Sequence, residues 1–140
     1  MKKILITIVL CLAFTNVKAQ DSAEVVDLFF DALNSKDIAL LESLCIEDLR
    51  IHSLNLKKDS VLTSQSISEF SESIQSIPDD KTILEEIRSK QSIESDHIAL
   101  YSLKYSFYVN NDLSHSGTNV MTLIKTDKGW KISYIADTRE

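Results

Sequence analysis

The part of the chain from Thr82 to Asp137 contains four segments rich in strand-forming residues, separated by short polar turns. The segments are Thr82–Ile93, His97–Val109, Leu113–Thr126 and Trp130–Asp137. Runs of β-branched and aromatic residues bounded by Asn, Asp, Ser and Gly predict β-strands. Turns of two or three residues join strands that are antiparallel neighbours. This part of the chain is therefore predicted to form an antiparallel sheet.

The hairpin made by the second and third segments has a register that follows from its turn. If residues 110–112 form a three-residue loop, Val109 pairs with Leu113. Counting back then places Phe107 opposite His115, Tyr105 opposite Gly117, Leu103 opposite Asn119 and Tyr101 opposite Met121. The odd-numbered face of the second segment is nearly all apolar, so His115 and Asn119 would lie on a buried face. Because buried polar side chains need partners or solvent, we expect a cavity on this face.

Two helices are predicted at the start of the mature chain. Asp21 and Glu24 have the spacing of a capping box, and the apolar stripe that follows predicts a helix over Ser22–Leu33. Asp37 can cap a second, shorter helix. The buried face of that second helix would consist of Ile38, Leu41, Leu44 and Cys45.

A strand and a third helix complete the prediction. The period of two over Leu49–Leu56 predicts a strand. Ser66 and Glu69 again have capping-box spacing and start a helix. That helix must end near Pro78, because the residue before a proline is disfavoured in helical conformation.

The first 19 residues have the order of a secretory signal peptide. Lys2 and Lys3 precede the apolar run Ile4–Phe14, and Ala19 ends a short segment that contains small residues. The apolar run is shorter than the roughly 20 residues that a membrane-spanning helix needs. We therefore expect cleavage near Ala19, a periplasmic or extracellular location, and one mature domain, residues 20–140.

The composition of the mature chain disfavours several classes of protein. Residues 1–19 hold three of the 15 basic residues and none of the 21 acidic ones, so the net charge changes from −6 to −9 on cleavage. Such a chain would repel nucleic acid and anionic membrane surfaces. Cys45 is the single cysteine left, so no intrachain disulfide can form, and we expect it to be buried. With two glycines and three scattered histidines, neither a phosphate-binding loop, a metal site nor another cofactor is expected.

The order of these elements resembles that of the nuclear transport factor 2-like superfamily, which includes the SnoaL-like and ketosteroid-isomerase-like proteins. The resemblance rests on residues 29–34 (FFDALN), residues 114–117 (SHSG), and Leu123-Ile124-Lys125 followed by Gly129-Trp130-Lys131-Ile132. It implies an α+β fold in which three helices pack in a strongly curved antiparallel sheet, forming a cone with an apolar pocket. It also implies a dimer in many members. It leaves the function open, because the superfamily hosts enzymes and binding modules alike.

Candidate site residues follow from the predicted pocket face. His115 is the candidate general base, and Asp137, at the end of the last strand, could orient it. The alternatives are a histidine satisfied by a neighbour within the sheet and a solvated acid near Arg139. The predicted ligand-binding residues are His52, Tyr101, Tyr105, Asn119 and Met121.

Three functions are consistent with this pattern. The leading hypothesis is a non-catalytic domain that binds a small apolar or aromatic molecule. The alternative is an isomerase or dehydratase in which His115 moves a proton and Asp137 or His52 fixes its tautomer. The third is a protein-interaction module, a homodimer through the convex sheet face that carries Ile98, Leu100 and Tyr108.

Overall fold

The computed structural model describes residues 20–57 and 59–140, so the predicted signal peptide lies outside the described residues. The described chain forms three helices and six strands. In chain order these are α1 (Ser22–Ser35), α2 (Ile38–Ser43), β1 (Cys45–Asn55), β2 (Val61–Ser66), α3 (Ile67–Gln75), β3 (Ile83–Glu94), β4 (Ile98–Val109), β5 (Asp112–Thr126) and β6 (Gly129–Arg139). None of the described helices is long and apolar enough to cross a membrane.

Both capping boxes predicted from the sequence are confirmed. At α1, Asp21 accepts a hydrogen bond of 2.8 Å from the amide of Glu24, whose carboxylate accepts one of 3.2 Å in return. Ser66 and Glu69 make the same reciprocal pair at α3. These side chains satisfy amides that the first turn of a helix leaves without intrahelical partners. Local sequence therefore determines where these two helices begin.

The boundary between α2 and β1 differs from the prediction. Cys45 does not belong to the helix but is the first residue of β1, where it pairs with Ile132 of β6. Helix α2 ends at Ser43, and the carbonyl of its C-cap residue Leu44 accepts a 2.9 Å hydrogen bond from the Ile132 amide. The pairing with a distant strand thus overrides a helical apolar pattern. Cys45 is buried, as expected.

The six strands form one sheet in the order β2-β1-β6-β5-β4-β3. Neighbouring strands are antiparallel except β1 and β6, which are parallel. The expected α+β architecture is confirmed, but the parallel pair was not predicted. A parallel pair needs a long crossover, and here most of the domain separates the two strands in sequence.

The register of the β4–β5 hairpin is confirmed in its body and wrong at its tip. The confirmed pairs are Phe107 with His115, Tyr105 with Gly117, Leu103 with Asn119 and Tyr101 with Met121. At the tip, Val109 pairs with Asp112, because Asn110 and Asn111 both have positive φ angles and form a two-residue turn. An irregularity beside Ser114 absorbs the extra residue and restores the predicted register.

The hydrophobic core lies between the helices and the concave face of the sheet. Helix α1 packs against β3 and β6, and α3 packs against β1 and β2. The most deeply buried side chains are Val25, Val26, Leu41, Leu49, Leu103, Met121, Leu123 and Ile132. The helices leave one end of the concave face open, and the candidate site lies there.

Candidate functional site

A cavity of about 500 Å³ lies between α1, α3 and the concave face of the sheet. This volume is within the range that small-molecule sites usually have. Its walls are mainly apolar, and four phenylalanines contribute to them. The lining residues include Phe29, Phe30, Leu33, Ile51, Phe70, Ile74, Ile77, Phe107, Met121 and Ile135.

The sheet register brings polar side chains from several strands into this cavity. Residues paired across a sheet point to the same face. One row runs from Glu85 through Phe107 to His115. A second row runs from Asn119 through Asp137 to Ser53. The two rows place a polar cluster on an otherwise apolar wall.

Glu85 is the most perturbed acid of this cluster. Its Oε1 accepts a 2.6 Å hydrogen bond from Asn119 Nδ2. Its backbone is bound on both sides by the side-chain amide of Asn34, which accepts from the Glu85 amide at 2.7 Å and donates to its carbonyl at 3.2 Å. Burial raises the pKa of Glu85 from 4.5 to about 7, and the nearby Asp137 adds to this shift. Glu85 can therefore be neutral or charged near physiological pH.

The carboxylate of Asp137 contacts more side chains than that of Glu85 does. The hydroxyl of Ser53 donates to its Oδ1, and the hydroxyl of Tyr105 lies 3.5 Å from its Oδ2. Arg139 Nε is 3.4 Å from the same Oδ2 and supplies a positive charge. Only 10% of the Asp137 side chain is exposed, so these contacts take the place of water.

His115 lies against two aromatic rings. Its ring stacks on Phe107 with centroids 5.0 Å apart and meets Tyr105 edge-to-face at 5.8 Å. Burial lowers the pKa of His115, and Arg139 lowers it further. Within residues 20–57 and 59–140, the hydrogen-bond partner of its ring is Ser114, at 3.2 Å, so the predicted pairing with Asp137 does not form.

Gly117 allows the last strand to cross close above β5. A Cβ at this position would lie 1.8 Å from the carbonyl oxygen of Thr138 and 3.0 Å from Tyr105. The Tyr105 hydroxyl donates a 2.9 Å hydrogen bond to the same Thr138 oxygen. The absence of a side chain at Gly117 thus positions the tyrosine beside Asp137.

Most of the residues predicted for the site line the cavity. These are His115, Asp137, Tyr105, Asn119 and Met121. His52 does not, because its neighbours Ile51 and Ser53 point into the cavity and His52 therefore points to the convex face, where it contacts Tyr134. Among the described residues, the Nδ1 atom of the His52 ring is buried without a hydrogen-bond partner.

Tyr101 also lies outside the cavity. It is on the concave face, but its hydroxyl is 2.7 Å from the hydroxyl of Ser22, at the start of α1. The Glu94 carboxylate lies beside both hydroxyls. Strand β4 is longer than the cavity. Tyr105 therefore lines the cavity, whereas Tyr101, on the same face of the strand, lies outside it.

Sequence analysis missed Glu85. The alternation Ile83, Glu85, Ile87 would have placed it on the buried face, because the flanking isoleucines share its side of the strand. An acid between two apolar residues on the same face of a strand is the pattern that could have identified it. In the part of the chain that the structure describes, no three His, Cys, Asp or Glu side chains are grouped as a metal ion would require.

A family model described as a domain of unknown function, DUF4829, matches residues 23–136. This range includes all three helices except the first residue of α1, and nearly the whole sheet. No curated protein matches the sequence.

Several solved structures have a similar fold. An NTF2-like protein from Cytophaga hutchinsonii superposes with a TM-score of 0.69 at 12% identity, covering 86% of this chain and 100% of its own. An NTF-2 like protein of unknown function from Silicibacter pomeroyi has a TM-score of 0.66 at 14% identity, covering 84% and 92%. A protein from Streptomyces avermitilis, provisionally called a dehydratase of the NTF2-like family, has a TM-score of 0.65 at 14% identity, also covering 84% and 92%.

These similarities confirm the nuclear transport factor 2-like fold that the sequence motifs indicated. At such low identity they show the fold alone, because this architecture carries many unrelated activities. The function must therefore be argued from the cavity itself.

Proposed function

This chain belongs to the DUF4829 family and has the nuclear transport factor 2-like fold, and from that premise we propose that it binds a small, mainly apolar molecule in its cavity. The observation that supports this proposal is the pair Glu85–Asn119, two hydrogen-bonded polar side chains on an aromatic and aliphatic wall. A few polar groups that converge in an apolar cavity are what a ligand needs for orientation.

The polar pair has unused hydrogen-bonding capacity. Asn119 donates one amide hydrogen to Glu85, which leaves its carbonyl oxygen and second hydrogen available. The second carboxyl oxygen of Glu85 is likewise available to a ligand. A molecule with one polar group and an apolar body of one or two rings would satisfy both parts of the cavity.

A ligand screen tests this proposal. Apolar and aromatic compounds should raise the melting temperature of the purified protein, because a ligand that binds only the folded state stabilises it. The Asn119→Ala variant should bind the same compounds about two- to tenfold more weakly, as expected for one lost hydrogen bond. Thr118→Ala is the matched control, since Thr118 is the neighbouring residue and does not line the cavity. If no compound raises the melting temperature and an apolar fluorescent dye also fails to bind, the proposal is wrong.

A second candidate function is acid–base catalysis of the isomerase or dehydratase type, now centred on Glu85. The favouring observation is that its pKa of about 7 lies near the operating pH of most enzymes, where a general base is most effective. The neighbouring acid, Asp137, contacts Ser53 and Arg139, whereas the Glu85 carboxyl contacts Asn119. Two acids in different environments are typical of catalytic acid and base pairs. His115 lacks the carboxylate contact that the earlier hypothesis required.

Proton exchange would distinguish catalysis from binding. Aromatic ketones incubated with the protein in deuterated water should exchange the hydrogens next to their carbonyl, as followed by proton NMR. Glu85→Gln should abolish that exchange, whereas Glu86→Gln, on the adjacent exposed position, should not change it. If the protein binds ketones but exchanges the hydrogens of none of them, the catalytic proposal is wrong and the binding proposal stands.

We also propose that the protein forms a homodimer through the convex face of the sheet. Ile98 and its strand partner Ile124 are 55% and 41% exposed there, and Leu100 and Tyr134 lie in the next row, 39% and 37% exposed. Burying an apolar side chain of this size stabilises a complex by up to about 1.5–3 kcal/mol. Leu100→Lys should therefore give a folded monomer. If light scattering shows that the unmodified protein is already monomeric at high micromolar concentration, the dimer proposal is wrong.

We further propose that the protein is secreted after cleavage near Ala19. The basic, apolar and small-residue order of residues 1–19 supports this. Mass spectrometry of the protein made in a bacterial host with an intact export system should find Gln20 at its N-terminus. An intact Met1–Ala19 segment on all of the protein would refute secretion by this route.

A further inference from the structure

The charges that face the cavity are not balanced. Asp137 has Arg139 as its counterion and the Ser53 hydroxyl as a hydrogen-bond donor, and the Tyr105 hydroxyl lies 3.5 Å from its Oδ2. Glu85 has the neutral amide of Asn119 on its carboxyl group. His115 does not supply a positive charge at neutral pH, because its pKa is lowered by burial and by Arg139. An ionised Glu85 is therefore a negative charge in excess.

The groups around Glu85 come from four elements. Helix α1 contributes Asn34, which binds its backbone, and β4 contributes the Tyr105 hydroxyl. The titratable and charged groups of β5 and β6 are His115, Asp137 and Arg139, with Asn119 as the neutral donor. Among these described groups, Arg139 is the one permanent cation, and it is paired with Asp137.

Aromatic rings form the wall beside this charge. Phe107 is the strand partner of Glu85, and Phe29 and Phe70 stack across the helices with centroids 6.5 Å apart. The face of an aromatic ring attracts cations. An unbalanced carboxylate next to aromatic rings favours a positively charged ligand and repels an anionic one.

We propose that the ligand of this cavity is an apolar amine, whose ammonium group binds the Glu85 carboxylate while its hydrocarbon body packs among the phenylalanine rings. This inference rests on the proposed binding function and specifies its ligand class. The ammonium group would supply the missing positive charge, and the Asn119 amide would hold the carboxylate in place.

Binding of an amine should be coupled to the loss of a proton from Glu85. Its pKa of about 7 means that much of the free protein carries a neutral Glu85 at neutral pH. An alkylamine stays charged well above that pH, as lysine does. The affinity should therefore fall by about 30-fold between pH 8 and pH 5.5, as Glu85 becomes protonated.

Naphthylethylamine and naphthylethanol are matched probes, since they differ chiefly in the ammonium and hydroxyl groups. Calorimetric titration of the purified protein at pH 8 should give an affinity at least about tenfold higher for the amine. Glu85→Gln should lose this preference and bind the amine and the alcohol with similar affinity. Glu86→Gln should keep the preference, because the Glu86 side chain is 46% exposed and pairs with Arg88.

The outcomes separate this inference from the binding function. If the alcohol binds as tightly as the amine at pH 8, or if amine affinity does not change with pH, the amine proposal is overturned and the binding function stands. If neither probe nor any compound of the wider screen binds, both are overturned. If Glu85→Gln fails to fold, proton release by the unmodified protein tests the amine proposal instead. Calorimetric titrations near pH 6, in buffers of different ionisation enthalpy, should report close to one proton released per amine bound.

Discussion

Replacing Glu85 by glutamine should stabilise the protein at pH 8, although it removes the central acid of the cavity. The carboxyl of Glu85 has a pKa of about 7 in the folded protein and an ordinary value of 4.5. The folded state therefore holds this proton more tightly than the unfolded state does. Glutamine has a similar shape, can still accept the hydrogen bond from Asn119, and has no charge to bury.

The magnitude follows from the size of the pKa difference. Each pKa unit corresponds to about 1.4 kcal/mol, so the charge on Glu85 lowers the free energy of unfolding by about 3 kcal/mol at most above pH 7. Because the pKa of Glu85 is higher in the folded than in the unfolded protein, ionisation of this acid lowers the free energy of unfolding. The favourable contribution of the acid is complete below pH 4.5 and is lost as the pH rises through about 7. We expect Glu85→Gln to be more stable than the unmodified protein by about 1–3 kcal/mol at pH 8, and equally stable near pH 4.5.

Urea unfolding at several pH values measures this difference. Trp130 is the single tryptophan and is buried, so its fluorescence reports unfolding directly. The slope of free energy against urea should be the same for both proteins, because the surface exposed on unfolding is unchanged. Glu86→Gln serves as the control, and its stability should follow that of the unmodified protein at every pH.

Either of two results would refute the reasoning. If Glu85→Gln is no more stable than the unmodified protein at pH 8, or if the stability difference does not shrink toward pH 4.5, Glu85 is not a buried acid with a raised pKa. The amine proposal would then lose its pH dependence as well. A large loss of stability at all pH values would instead mean that the carboxyl makes a structural contact that glutamine cannot replace.

Three further predictions concern the fold. Gly117→Ala should destabilise the protein by about 1–3 kcal/mol or more, measured by urea unfolding, because its Cβ would overlap the Thr138 carbonyl; a stability within 0.5 kcal/mol of the unmodified protein would contradict the close crossing. Burial raises the pKa of the Cys45 thiol to about 12, so Cys45 should react with a thiol reagent at pH 8 only after denaturation, and rapid labelling of the folded protein would disprove its burial. Asp21→Ala should cost about 1 kcal/mol in unfolding experiments through loss of the α1 cap, and an unchanged stability would show that the cap is dispensable.

Local patterns predicted much of this fold because local contacts determine them. The capping boxes at Asp21 and Ser66 use side chains three residues apart, so the helix starts can be read directly from the sequence. The hairpin register was predicted because two strands joined by a short turn have few possible pairings. That register was enough to place His115, Asn119 and Tyr105 on one face.

What the sequence alone determined is therefore the set of elements, the class of fold and one row of the cavity. Only the tertiary structure decided that β1 lies parallel to β6, which directs Ser53 toward Asp137 and turns His52 away. Only the tertiary structure brought Glu85 to Asn119, from strands that are not neighbours in the sheet. The physical reason is that these contacts join residues far apart in the chain, where spacing carries no information about distance. The charge state of Glu85 likewise depends on what surrounds it in the folded cavity, and no local pattern encodes that environment.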